Sequence, residues 1–409
     1  MLERFFKIVY LVFLFGWLSY SHIYIGPFTL NMLLAAILFL MNIAMDSRIK
    51  PDKTVVAYIV FILSLGITSV ISHHSDYFWG IFFRYYLVSL IGWKSTTIIL
   101  SRKPDFSRYI IGVIVLIGIL DAFVTMSQFT MMDSWYSPIE KLFGFQSYDD
   151  YEANTLTISS EVYTRFIPGI FGNPVINGYY LAICVALSFY YVHRFNSLFL
   201  FLVPSLLFFG VFCCQERSAL ILSAVALIYL TYRYVVKLSR SKKILVFAIL
   251  ISVLAYVTIQ LVSISNTFGL RYTSLGFDDT GRSQISKSTM TYLWENFLCP
   301  NLIDQVAQVG HAPHNLFLNA FIYGGLVSFV SIMYILIKQC RLAGAVIINK
   351  VYNTNYILRI IVCAWIVFTL NGLVHNRSIV TGELICWILW AMMQTLSKEH
   401  KEIMANKVS

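Results

Sequence analysis

The sequence predicts an all-α polytopic membrane protein with about 12 transmembrane helices and two larger outer loops, the second containing an amphipathic surface helix. Two observations carry this prediction. Of the 409 residues, 58% are hydrophobic and only 12% are charged, whereas soluble chains average about 25% charged residues. Apolar runs near 20 residues, the length that crosses a bilayer, recur along the whole chain. The chain is therefore expected to form a single transmembrane domain over residues 1–409.

The apolar runs number twelve. They lie at roughly 6–21, 27–45, 54–72, 77–93, 108–128, 170–192, 197–214, 217–236, 244–263, 315–337, 357–373 and 380–396. The first run has no small-residue cleavage site after it, so a cleaved signal peptide is not expected.

The basic residues predict the orientation. With the N-terminus in the cytoplasm, the inner segments hold 22 of the 30 Lys and Arg residues and the outer segments hold 7, with Arg84 inside a span. This asymmetry follows the positive-inside rule and predicts that both termini are cytoplasmic. It also accounts for the net charge of +10 without a nucleic-acid partner.

Two predicted outer loops are long, at 129–169 and 264–314, and long loops in compact domains are usually functional. The first is acidic and rich in aromatic residues, which suits sugar stacking and an interfacial aromatic belt equally. In the second, residues 278–283 predict a turn into a helix that Pro300 ends. Helical spacing places four apolar residues on one face of that helix: Met290, Leu293, Trp294 and Phe297. Such a helix is expected to lie on the outer membrane surface.

Three arginines stand near outer span ends, namely Arg217, Arg282 and Arg377. Arginine offers a fixed fork of donors that matches phosphate oxygens and keeps its charge, so these residues are candidates for binding a pyrophosphate. The alternative is that they snorkel or pair with nearby acidic residues. We favour that alternative for Arg377 alone. For Arg217 and Arg282 we favour pyrophosphate binding, because an outer arginine runs against the topology bias and these two stand at the start of helices.

His311 and His314 are spaced to share one face of a helix. Pro313 fits the first helical turn, which would put His314 at a helix N-terminus, where the neutral imidazole is favoured. Neutral imidazole can act as a general base. A structural pair that caps the helix remains an alternative. Zinc is disfavoured because no third Cys, His or carboxylate stands at ligand spacing, and neither a metal nor a cofactor is expected.

Arg84 and Asp121 are charged residues inside the fourth and fifth predicted spans. Charges inside a membrane usually pair with one another. These two would form either a structural tie or part of a proton path in a transporter.

Several of these segments together resemble the O-antigen polymerase and O-antigen ligase superfamily of bacterial inner membranes. The matching segments, over residues 165–395, are Phe171-Gly-Asn-Pro174, Arg217 at the start of a span, Gly281-Arg282, Leu298-Cys-Pro300, His311-Ala-Pro-His314-Asn-Leu-Phe-Leu318 and Gly324-Gly-Leu326. The twelve spans and the large late loop match as well. The family often shows closer His-x-His spacing, whereas two residues separate the pair here.

The resemblance implies a metal-independent inverting glycosyltransferase in the inner membrane, with both long loops in the periplasm. Its donor and acceptor would be glycans linked to undecaprenyl pyrophosphate, and a chain-length regulator protein is a further partner that it suggests. His314 matches the base position, Arg217 and Arg282 match the pyrophosphate-binding positions, and His311 is a supporting residue.

Three functions follow as hypotheses. An O-antigen polymerase is favoured, because the outer loops hold few basic residues that could meet a phosphorylated lipid A-core. An O-antigen ligase, which transfers finished polymer to lipid A-core, uses the same chemistry. A polysaccharide flippase is disfavoured, because polar residues should then recur through several spans, whereas the charges gather at the outer ends.

Overall fold

The computed structural model describes residues 2–19, 23–25, 28–45, 52–129, 167, 169–214, 216–236, 238–263, 282–352, 355–375 and 378–406. Within these ranges the fold is helical, apart from one antiparallel pair of two-residue strands, β1 (Tyr24–Ile25) and β2 (Phe28–Thr29). Nearly all of the first predicted long loop and residues 264–281 of the second lie outside the described residues, as does Arg377.

The first ten helices precede the second long loop. They are α1 (Leu2–Leu18), α2 (Leu30–Met45), α3 (Lys53–Ile71), α4 (Ser75–Ile81), α5 (Leu87–Arg102), α6 (Ser107–Phe129), α7 (Pro174–Phe195), α8 (Leu202–Cys214), α9 (Arg217–Val235) and α10 (Arg240–Ser263). A π-helix (Phe82–Tyr86) joins α4 to α5, and short 3-10 segments occupy Pro104–Phe106, Gly169–Phe171 and Leu198–Phe201.

Six more described helices follow residue 281, the first two of them within the predicted second loop. They are α11 (Arg282–Glu295), α12 (Leu302–Val309), α13 (Leu316–Ile322), α14 (Gly325–Ile348), α15 (Tyr356–Val374) and α16 (Leu384–Asn406), with 3-10 turns at Lys350–Tyr352 and Ile379–Thr381.

Six of the described helical segments are long and apolar enough to cross a membrane. They are Lys53–Ile71, Pro104–Phe129, Val175–Phe195, Arg217–Val235, Gly325–Ile348 and Tyr356–Val374. Leu30–Met45 and Leu198–Cys214 are apolar but shorter. The prediction of a helical membrane protein is confirmed at this level, and the number of twelve spans stays a prediction.

The chain divides into two compact units. One contains Met1–Lys7, Ala35–Ser107 and Asp279–Ser409, and we call it the histidine unit because His311 and His314 lie in it. The other contains Ile8–Leu34 and Arg108–Asp278, and it is built around α7, whose membrane-length window is 89% buried. Helices α8 and α9 pack on α7. An Asn173 side chain caps α7 by accepting the Val175 and Ile176 N–H groups.

In the histidine unit, α3 packs along α14 and α5 packs along α16. The fully buried Trp387 ring lies 4.2 Å from the Tyr58 ring, centroid to centroid, at the centre of this arrangement. The Gln394 amide donates to the Asp52 carboxylate over 2.7 Å and so joins α16 to the start of α3.

The predicted span 315–337 is not one helix, and this is a correction. The chain forms α13, breaks at Tyr323 and Gly324, and restarts as α14. Gly325 has φ +69°, a conformation that a side chain would strain, and a Cβ there would lie 3.2 Å from the Leu298 carbonyl oxygen. Hydroxyls of α3 satisfy the backbone at the break, since Ser64 donates to the Gly324 carbonyl and Thr68 donates to the Tyr323 carbonyl.

Candidate active site

Helix α11 leads into the site and packs through two residues. Tyr292 and Leu293 are 3% and 9% exposed and form a cluster with Ile322 of α13. Trp294, by contrast, is 85% exposed and Met290 is 62% exposed. The predicted apolar face was therefore wrong in one respect, because α11 is apolar on two sides and Leu293 faces the protein rather than sharing the exposed face.

Helix α11 also ends five residues earlier than predicted, at Glu295 rather than at Pro300. The Tyr292 hydroxyl explains the early end, since it donates to the Asn301 carbonyl and accepts the Asn301 N–H, both over 3.0 Å. Burial raises the pKa of the Tyr292 hydroxyl, so the proton it donates is kept. The chain must turn back to meet this hydroxyl, and Asn301 then caps α12 through the Ile303 N–H.

Gln305 fixes the backbone of the turn that carries the two histidines. The Gln305 amide nitrogen donates to the His311 carbonyl and to the Thr289 hydroxyl, each over 3.0 Å, and Gln305 is fully buried. Gly310 ends α12 with φ +88°, which lets the chain reverse directly before His311. The backbone of His311 is thus fixed, while its side chain is exposed.

A second anchor follows His314. The Asn319 amide donates to the carbonyl of Pro313 over 2.9 Å, and Asn319 is 1% exposed. Asn315 caps α13 by accepting the N–H groups of Phe317 and Leu318. The expectation that Pro313 occupies the first helical turn was wrong, because Asn315 is the stronger cap and starts the helix at Leu316. His314 lies just ahead of that cap.

His314 contacts a residue that the sequence argument did not single out. The rings of His314 and His375 lie 6.3 Å apart, centroid to centroid, and meet edge to face. His314 is partly buried and His375 is 2% exposed. His375 ends α15, and a histidine at an outer span end, two residues before Arg377 in the sequence, was the only signal for it.

The chain after His375 is irregular and tightly held. Ser378 forms a capping box with Thr381, and Gly382 has φ +73°. From the first half of the unit, the Tyr86 hydroxyl donates to the Val380 carbonyl over 3.0 Å and the Ser89 hydroxyl donates to the Gly382 carbonyl over 2.7 Å. These bonds fix the segment that runs from Ser378 into α16.

Of the three predicted arginines, only Arg217 has a described side chain. Arg282 is the first residue of α11, the helix that packs against α13, but its side chain lies outside the described residues, as does all of Arg377. Arg217 starts α9 in the other compact unit, where it is partly buried. The neighbouring Glu216 carboxylate accepts the Ala219 N–H over 3.0 Å and so serves as the helix cap.

Asp121 holds a loop in place. It is fully buried and accepts the Ile170 N–H over 3.0 Å, while Gln128, two turns along α6, accepts the Gly169 N–H over 2.9 Å. Asn177 of α7 donates to the Ile167 carbonyl over 3.0 Å and closes the same network. This geometry gives Asp121 a structural role within its own unit, whereas the predicted tie was a pairing with Arg84, and that pairing stays a prediction. Arg84 belongs to the other compact unit and its side chain is exposed.

Among the described residues, no group of three or more His, Cys, Asp or Glu side chains lies close enough to hold a metal ion. The histidine turn places the His314 ring beside the His375 ring and directly ahead of the cap of α13. Comparisons of the chain with protein-family models, curated proteins and solved structures find no match.

Proposed function

We propose that the chain is an O-antigen polymerase of the bacterial inner membrane. It joins oligosaccharide repeat units linked to undecaprenyl pyrophosphate at the periplasmic face, with twelve spans and both termini in the cytoplasm. The observation that carries the proposal is the histidine turn: His314 directly follows two anchored carbonyls, those of His311 and Pro313, and its ring lies against the buried His375.

In this proposal His314 is the general base. The acceptor sugar hydroxyl attacks the anomeric carbon of the donor, its proton passes to the His314 imidazole, and the bond from that carbon to the pyrophosphate breaks. The leaving group is undecaprenyl pyrophosphate, which already leaves well, so the enzyme needs a base and positive charge rather than a nucleophile or a metal.

The other residues have supporting roles. Arg217 and Arg282 bind the pyrophosphate and stabilise the negative charge that develops on it, through the forked donors that suit phosphate oxygens. His375 orients the His314 ring through its edge-to-face contact. His311 supports the turn through its backbone carbonyl.

The lipopolysaccharide ladder of a deletion strain tests the proposal. We expect lipid A-core with a single repeat unit, restored to a full ladder by the native chain but not by His314→Ala. His400→Ala is a matched control, because His400 is, like His314, a partly buried histidine, and it contacts the Val351 carbonyl near the end of α16. A bare core with accumulating lipid-linked polymer would identify a ligase instead. A normal ladder from His314→Ala, at equal protein level in the membrane, would contradict the base assignment.

A further inference from the structure

Arg84 lies at an unusual depth for a charged residue. Helices α4 and α5, with the π-helix between them, run antiparallel to α3, one of the candidate membrane spans. The Phe78 ring would lie 3.0 Å from a Cβ on Gly66, and the Tyr86 ring lies 5.7 Å from the Phe61 ring. Because Arg84 stands between Phe78 and Tyr86, its backbone is opposite the part of α3 between Phe61 and Gly66.

The level of Arg84 in the membrane follows from the length of α3. That helix has 19 residues, so at 1.5 Å per residue it is about 28 Å long and matches the hydrocarbon thickness. Gly66 and Phe61 are five and ten residues from its end at Ile71. The Arg84 backbone therefore lies about 7–15 Å inside that end.

At this level the Arg84 side chain is exposed rather than covered by protein. Two exposed aromatic residues stand beside it: Trp79 is 52% exposed and Phe83 is 56% exposed, and their stacked rings lie 5.9 Å apart. The Arg84 guanidinium carbon lies 5.6 Å from the centroid of the Tyr85 ring. An arginine at such a depth is costly and usually serves a function.

The backbone at Arg84 is also irregular. Residues Phe82–Tyr86 form a π-helix, whose wider turn is less stable than an α-helix and often marks a functional site. The π-helix packs on the irregular segment that follows His375, since a Cβ on Gly382 would lie 3.0 Å from the Tyr85 Cβ and 2.8 Å from the Tyr86 ring. The wide turn thus places Arg84 on one side and Tyr86 against the candidate active site segment on the other.

We propose that Arg84, Trp79 and Phe83 form a binding site for a lipid that carries a phosphate group. The guanidinium fork binds the phosphate oxygens, and the two stacked rings contact the hydrocarbon chain that is attached to them. A side chain that is exposed at this level faces either lipid or a water-filled cavity that a lipid headgroup can enter, and phosphate is the anionic group that membrane lipids carry. The inference deepens the proposed function. It rests on that function for one of its two possible lipid sources, undecaprenyl diphosphate, which is the undecaprenyl pyrophosphate of the proposed reaction.

Lipid binding to the purified full-length protein tests this inference without requiring polymer synthesis. The probes are undecaprenyl diphosphate, undecaprenol, which has the same tail without phosphate, and phosphatidylglycerol. We expect Arg84→Gln to weaken binding of the diphosphate by about tenfold or more and to leave undecaprenol binding unchanged. The diphosphate affinity of Arg84→Lys should lie between those of the native protein and Arg84→Gln, because lysine keeps the charge but loses the guanidinium fork. Arg341→Gln is the control, since Arg341 is an exposed arginine near the C-terminal end of α14.

Competition between the two phosphate lipids identifies the source. If phosphatidylglycerol displaces the diphosphate at equal concentration, the site binds ordinary anionic headgroups, and if it does not, the site is selective for the polyprenyl substrate. Equal diphosphate affinity in Arg84→Gln and the native protein would overturn the inference, as would an equal loss in Arg341→Gln. An unchanged ladder in the deletion strain together with lost binding in Arg84→Gln would remove the proposed function and leave the lipid site standing.

Discussion

Replacing Asn319 with alanine tests whether the position of His314 matters. The Asn319 amide donates to the Pro313 carbonyl over 2.9 Å in a buried setting. Such a bond stabilises the fold by about 1 kcal/mol, and a buried carbonyl left without its donor costs about 1–3 kcal/mol. A change of about 2 kcal/mol lowers the fraction of molecules that hold His314 in place by a factor of up to about 30.

We therefore expect Asn319→Ala to slow polymer formation by about five- to thirtyfold. The effect should fall on kcat, with little change in KM, because the proposed pyrophosphate-binding arginines are elsewhere. Asn319→Asp should be as slow as Asn319→Ala, since it keeps the side-chain shape but presents an acceptor to the Pro313 carbonyl. The assay is the rate of repeat-unit joining by purified protein on a lipid-linked substrate, beside a thermal unfolding curve.

Asn355→Ala is the matched control. The Asn355 side chain accepts the Leu358 N–H over 3.0 Å and caps α15 at the end opposite His375. Its loss should cost about 1 kcal/mol of stability and leave the joining rate unchanged. The reasoning would be refuted by a native rate in Asn319→Ala, or by an equal slowing in Asn355→Ala.

Two further substitutions test other contacts. His375→Phe should lower kcat by about tenfold, because it keeps the bulk against His314 but loses the polar edge of the ring. His400→Phe, in the same rate assay, should have no effect. An unchanged rate in His375→Phe would mean that the contact with His314 only fills space. Gly325→Ala should lower the stability of the folded protein by about 1 kcal/mol or more, because its φ is positive. Gly344→Ala on the same helix should be neutral or stabilising by thermal unfolding, since nothing lies within 4 Å of its Cβ position, and equal melting temperatures for the two variants would contradict the strain argument.

The helices were predictable from sequence where apolar runs are continuous, because hydrophobic length alone sets them. The break in the predicted span 315–337 was not predicted, although Gly324 and Gly325 gave a local signal for it. The groups that fix the break are distant in sequence, because the Ser64 and Thr68 hydroxyls donate to the carbonyls of Gly324 and Tyr323. The hydrophobic periodicity of residues 315–337 contains no information about these two hydroxyls.

The candidate site was predictable in part. The turn with His311 and His314 was found because charged and polar groups stand out against an apolar chain. His375 was missed because its importance comes from a tertiary contact with His314, 61 residues earlier. The inward face of Leu293 was missed for a related reason: a helix that is apolar on two sides does not reveal which side the protein covers.

The interleaved chain of the histidine unit has a consequence for the order of assembly. Helix α3 is synthesised long before α14, yet its Ser64 hydroxyl donates to Gly324, 260 residues later. The Asp52 carboxylate likewise waits for Gln394, 342 residues later. Until translation reaches these partners, the early helices can bond only to one another, as where the Ser95 hydroxyl of α5 donates to Asn42 of α2 over 3.1 Å. The histidine unit therefore gains its full set of hydrogen bonds only after α16 has been synthesised.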